Sequence, residues 1–150
     1  MATQMLGSIS MNPVIQEDRT SCGLACVAIV AGVSYKQVKR VVGQLGIEVQ
    51  DPQLGSDTKY VRTLLRHYEF SASPHTTPFK SWDHLPPLAF LAIKWHRQNN
   101  RAFWHWVIFW QRSEGPVALD PKQSLKKNVR TDFGRMKLKW FIALGSKRSS

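Results

Sequence analysis

The run Leu24-Ala25-Cys26-Val27-Ala28-Ile29-Val30-Ala31 constrains this chain more than any other stretch. It is apolar on nearly every side, has helical length and is stopped by Gly32, so it predicts a helix with no face for water, buried at the centre of the molecule. A chain of 150 residues, 43% hydrophobic, is sized for one core, and the remaining elements must therefore wrap this helix. The polar segment Gln16-Glu17-Asp18-Arg19-Thr20-Ser21 leads into it; Thr20 and Ser21 are good N-cap residues and Gly23 is small, which puts Cys22 in the first helical turn. There, unpaired backbone N–H groups and the positive end of the helix dipole favour a thiolate over a thiol. Cys26, one turn deeper, reads as core packing. The two cysteines share one side of a helix, a poor geometry for a disulfide, and they are too few for a disulfide scaffold; a reducing cytoplasm fits them best.

Around this helix the pattern predicts two amphipathic ones. Ser34 caps the first, which runs to about Gln44 with Val38, Val41, Val42 and Leu45 inward and Lys36, Lys39 and Arg40 outward. Gly55-Ser56-Asp57 starts the second, with Val61, Leu64, Leu65 and Tyr68 inside and Lys59, Arg62 and Arg66 outside. From Phe70 the composition changes to Pro-bearing loops and short strands, and a boundary between a helical half and a strand half is placed here. Leu88–Ile93 reads as a strand covered on both faces, Arg97–Arg101 as a turn, Phe103–Gln111 as the next strand, and Ser113-Glu114-Gly115-Pro116 as the turn into Val117–Asp120. Lys137–Leu144 alternates as the last strand, with Leu138, Trp140, Ile142 and Leu144 on one side. The expected organisation is a flexible arm over residues 1–13, a single domain over 14–144 and a flexible basic tail over 145–150.

The Phe103–Gln111 strand carries the chemistry that a thiolate needs. His105 shares a face with Val107 and Phe109, while Trp104, Trp106, Ile108 and Trp110 take the other. A hairpin pairing Gln111 near Gly115 or Pro116 sets His105 opposite Pro121 or Lys122, which brings it close to Asp120; a bulge would flip the face, so parity is open. The chain order is then Gln16, Cys22, His105, Asp120: an amide to donate to an oxyanion, a nucleophile, a base and a group to orient the base. Asp83 and Asp132 are alternatives to Asp120, but neither closes a strand beside His105. His67, His75, His84 and His96 read as surface or loop residues. Zinc binding by Cys22 and Cys26 with two histidines lacks a second pair at finger-like spacing, and no metal or cofactor is implied.

Gln16, then Cys22-Gly23-Leu24-Ala25-Cys26, Leu85-Pro86-Pro87, His105-Trp106-Val107 and Asp120-Pro121, in that order, resemble the C39 peptidase domain of the papain-like cysteine peptidases, over roughly residues 14–143. The resemblance implies an α+β papain-like fold, with N-terminal helices, a buried nucleophile helix and a C-terminal antiparallel sheet packed against it. It implies a Cys22–His105–Asp120 triad with Gln16 in the oxyanion hole. One position departs from the family: it usually has Asp immediately before the nucleophile, where this chain has Ser21, with Asp18 the nearest upstream acid. The family is best known for cutting leader peptides in bacteriocin-exporting ABC transporters, so the resemblance also implies a bacterial cysteine peptidase with a leader-like peptide substrate.

The formal net charge of +11 promises attraction to a polyanion, either an acidic peptide or protein substrate or nucleic acid. Basic residues gather after Asp120-Pro121, and of these Lys126, Lys127 and Arg130 are expected off the triad. Deamidation or transglutamination uses the same triad, and a binding module with a degenerate site is a third class. The longest apolar runs are too short to cross a bilayer, and no N-terminal signal-peptide pattern is present, so a soluble cytoplasmic protein is expected.

Overall fold

The computed structural model describes residues 11–18, 21–48, 51 and 57–145. The apolar run forms helix α1, Cys22–Ala31, buried from Cys22 to Ile29. Gly32 ends it in the left-handed conformation, with φ of 70° and its N–H donated to Ala28 O. Helix α2, Tyr35–Gln44, begins with a capping box in which Ser34 accepts from Gln37 N while the Gln37 side chain accepts from Ser34 N. Helix α3, Lys59–His67, is led by Asp57, whose Oδ1 accepts from Lys59 N at 2.8 Å. Gly55 and Ser56, read as its start, lie outside the described residues.

Three expectations for the N-terminal half are corrected. Leu45, read as part of the inward stripe of α2, is exposed because the helix ends one residue before it. Arg62, read as outward, is half-buried and donates to Ser73 O. Met11, placed in the N-terminal arm, packs in the core.

The sheet has six strands in the order β1-β6-β2-β3-β4-β5, all neighbours antiparallel: β1 Thr77–Pro78, β2 Leu88–Gln98, β3 Arg101–Arg112, β4 Gly115–Leu119, β5 Val129–Arg130 and β6 Leu138–Ala143. β2 runs further than expected, because the turn into β3 is only Asn99-Asn100. Both residues take positive φ, 52° and 65°, as a tight hairpin demands. A bulge between Ile93 and His96 interrupts the β2–β3 register, and a second irregularity offsets β6, so that Ala92 faces Trp140 but Ile93 faces Leu138. That extra residue turns Leu138 to the face opposite Trp140 and Ile142, correcting the uniform alternation expected of this strand.

The two faces of the sheet carry separate cores. Phe90, Ala92, Trp106, Ile108, Leu119 and Ile142 pack with α1, α2 and α3, while Leu91, Ile93, Val107, Phe109 and Phe141 are covered by Trp82, Leu85, Phe133 and Met136. Because both faces are covered, β2 is buried continuously from Leu88 to Ile93. Burying a side chain such as Leu91 fully is worth about 1.5–3 kcal/mol relative to exposure. Among the described residues no helix is long and apolar enough to cross a membrane.

Candidate active site

The loop before α1 is closed by its own polar groups. Ser21, fully buried, donates its hydroxyl to Asp18 O at 2.7 Å and accepts from Asp18 N at 3.1 Å. The same Asp18 carbonyl takes the Ser21 N–H at 3.2 Å and the Gln16 Nε2 at 3.0 Å, so one oxygen gathers the turn that delivers Cys22. The Asp18 carboxylate is held by Tyr35, whose hydroxyl donates at 2.7 Å, and by Lys39 at 3.4 Å. Burial and this carboxylate push the Tyr35 phenol up to about 12. Ser21 thus braces the turn, and the nearest upstream acid is engaged by α2. Gln16 N in turn donates to Pro121 O at 2.9 Å, fastening this loop to the residue after Asp120.

His105 and Asp120 meet because the β3–β4 hairpin has no bulge. Gln111 pairs with Pro116 and Ile108 with Leu119 without interruption. Continued, that register sets Val107 against Asp120 and His105 against Lys122, which leaves His105 and Asp120 on one face as diagonal neighbours. The His105 Nε2 lies 2.6 Å from Asp120 Oδ1. Cys22 lies near enough to act on the charge of the same imidazole. Burial alone would lower the His105 pKa, but its hydrogen bond to Asp120 and the influence of Cys22 overcome this and raise it to about 9. Burial likewise works against the Asp120 charge, yet His105, the Lys122 N–H at 3.0 Å and Arg130 hold the carboxyl below its ordinary range. Cys26 stays protonated: complete burial, then Cys22 and Asp120, push its thiol up. The arrangement suits a nucleophilic thiol served by an oriented base.

Arg130, expected away from Cys22, His105 and Asp120, bonds directly to Asp120. Its Nη1 donates to Asp120 Oδ2 at 2.8 Å, while Nε and Nη2 clasp Asp132 at 2.9 and 2.8 Å. Asn128 completes the hold on Asp120, accepting its N–H at 2.8 Å and donating Nδ2 to its carbonyl at 2.7 Å. The sequence signal was the acid-flanked Arg130-Thr131-Asp132, set among unpaired basic residues. Asp83 lies in a short 3₁₀ turn, Trp82–His84, and Asp132 serves Arg130. His67, His75, His84 and His96 are exposed. Among the described residues no three His, Cys, Asp or Glu side chains gather as a metal site.

Tyr60 is a further residue that the helical stripe did not single out. A Cβ added at Gly23 would stand 2.1 Å from the Tyr60 hydroxyl oxygen and 2.8 Å from Val61 Cγ1, so only glycine lets α1 approach α3 this closely. Burial raises the Tyr60 pKa. Gly23→Ala is expected to cost about 1–3 kcal/mol in urea unfolding, because the Tyr60 ring is buried in the helical core and Val61 crowds the same position.

The sequence profile of the peptidase C39 family matches residues 10–140. The chain belongs to the peptidase C39 family. Its members are papain-like cysteine peptidases, and the fold agrees. This C39 chain is similar to the peptidase domain of Streptococcus ComA, a bifunctional ABC transporter involved in quorum sensing, with a TM-score of 0.61 at 19% identity over 91% of this chain and 99% of that one. It is also similar to a double glycine motif protease from an AMS/PCAT transporter in complex with its leader peptide, with a TM-score of 0.56 at 17% identity over 90% of this chain and 91% of that one. No curated protein matches the C39 chain.

Proposed function

We propose that this C39 peptidase hydrolyses a leader-like peptide through Cys22, His105 and Asp120. The observation that carries the reading is the imidazole of His105, whose Nε2 lies 2.6 Å from Asp120 Oδ1 and whose charge is favoured by both Asp120 and Cys22. The Cys22 sulfur attacks the scissile carbonyl carbon, forming a C–S bond and an oxyanion that the Cys22 backbone N–H and the Gln16 amide stabilise. The imidazolium then gives its proton to the leaving amine as the C–N bond breaks, leaving a thioester. Water attacks that thioester, His105 takes its proton, and the thiol is regenerated as the acid product leaves. Asp120 holds the ring in the required tautomer throughout. Support for Gln16 comes from its tether to Pro121 and the anchoring of its amide on the turn before Cys22.

The choice of substrate draws on the leader-peptide complex among the similar structures and on the net charge of +11. A peptide bearing Glu and Asp upstream of a Gly-Gly bond is expected to be cut faster than its neutralised analogue, with the advantage shrinking as salt rises, because surface attraction is screened within about 10 Å at 0.1 M. Mass spectrometry of the products checks this. Equal rates for both peptides at low salt would overturn the acidic preference, and transamidated or deamidated products in place of cleavage would overturn the peptidase reading.

A further inference from the structure

We propose that Arg130, with Asp132 behind it, is a positioning residue of this site: it fixes the Asp120 carboxylate in the orientation that serves His105, and Asp132 offsets its charge so that Asp120 keeps its own for the imidazolium. The inference rests on the catalytic reading above. It also stands on geometry of its own.

A carboxylate with one oxygen on His105 can still swing about its Cβ–Cγ bond. Here both oxygens are engaged, Oδ1 by His105 and the Lys122 N–H and Oδ2 by Arg130 Nη1, so the plane of the group is set. The guanidinium is set in turn by its two bonds to Asp132, a planar fork that a lysine does not reproduce. Its side chain is 10% exposed and that of Asp120 is 1%, whereas Asp132 is 45% exposed. The chain His105–Asp120–Arg130–Asp132 therefore alternates in charge from the buried ring to the surface. An Arg130 without Asp132 would be a bare cation beside Asp120, competing with the imidazolium for its charge.

The charged and titratable groups around His105 come from several elements. Asp120 after β4 bonds the ring and Cys22 of α1 acts on its charge; Cys26 lies a turn deeper; the Lys122 N–H and Arg130 of β5 bond the Asp120 carboxylate, and Lys94 of β2 acts on it from further away. Asp132 is the acid on the far side of Arg130. Removing its charge should disfavour the imidazolium.

The test compares wild type, Arg130→Met, Arg130→Lys and Asp132→Asn in cleavage of the Gly-Gly peptide and in the rate of Cys22 alkylation by iodoacetamide, both against pH. Asp132→Asn is expected to move the alkaline break of both profiles down by about half a pH unit, as expected for one charge lost at a distance. Its plateau rate should stay within a few-fold of wild type. Arg130→Met is expected to lower kcat by about tenfold or more with KM nearly unchanged, since misplacing a positioned group costs rate and not binding. Arg130→Lys should recover part of that loss. An alkaline break that stays put or rises in Asp132→Asn, or a full kcat in Arg130→Met, overturns the proposal. If Arg130→Met fails to fold, the exposed Asp132 still decides it. A wild type that cuts no peptide, or a Cys22→Ala protein that cuts as fast, sinks the catalytic reading instead, and the alkylation profile then tests the coupling of Arg130 and Asp132 to His105 without substrate.

Discussion

Cys22→Ala is expected to lower peptide cleavage by roughly a million-fold, to the level of removing the whole nucleophilic apparatus, and to leave the fold intact. No other described thiol can substitute. Cys26 lies one turn deeper with no exposed surface, and burial keeps it protonated. The loss of one sulfur at a buried helix start leaves a small gap, for which a shift of about 1 kcal/mol or less in urea unfolding is expected. Iodoacetamide at pH 6 should label wild type once, at Cys22, and should not label the Cys22→Ala protein. Label on Cys26, or a variant that still cuts, would remove Cys22 from the centre of the mechanism.

Asp120→Asn has the second largest expected effect, about a ten-thousandfold fall in kcat, because the arrangement of donors around this side chain leaves an amide no good orientation. His105 Nε2 and the Lys122 N–H point at one oxygen and Arg130 at the other. Arg130 and the peptide N–H can only donate, so whichever way the asparagine turns, its NH₂ meets a donor. If it turns its NH₂ to His105, the ring takes the wrong tautomer; if it turns it to Arg130, the Nη1 of a nearly buried guanidinium loses its acceptor and only Asp132 still holds the group. The second arrangement should also cost about 1–3 kcal/mol of stability, read by thermal unfolding together with single-turnover cleavage. A variant with full activity would show that Asp120 is a structural ion-pair partner alone.

The helix that organises the chain was legible because its signals are local: an unbroken apolar run, a glycine stop, and cap residues before Cys22. His105 and Asp120 were legible for a related reason, since a tight hairpin fixes which residues face one another. What sequence alone left open there was parity, and the unbroken β3–β4 register resolves it. The bulge at Ile93 and the displaced Leu138 had no such signal, because one inserted residue looks the same as continued alternation. β1 and β5 are two residues each, below the length at which any period shows. Tyr60 and Arg130 escaped for a tertiary reason: a tyrosine beside an inward stripe and an arginine among many cations acquire their roles only from what folds against them. Ser21 was legible as a cap candidate, but its hydroxyl closes the turn onto Asp18 and makes no cap hydrogen bond to α1.

The strand order has a consequence for how the molecule is assembled. β2, β3 and β4 follow one another and can zip up as soon as they are made, but the other edge of β2 waits for β6, which arrives from the far end of the chain and must insert between β2 and β1. Until then Leu88–Ile93, an apolar segment destined to be covered on both faces, shows a bare row of N–H and C=O groups to any neighbouring chain. Such a late, long-range pairing slows folding and lengthens that exposure. The most vulnerable moment for this protein is therefore the interval before its last strand docks, when a second copy can take the place that β6 is meant to fill.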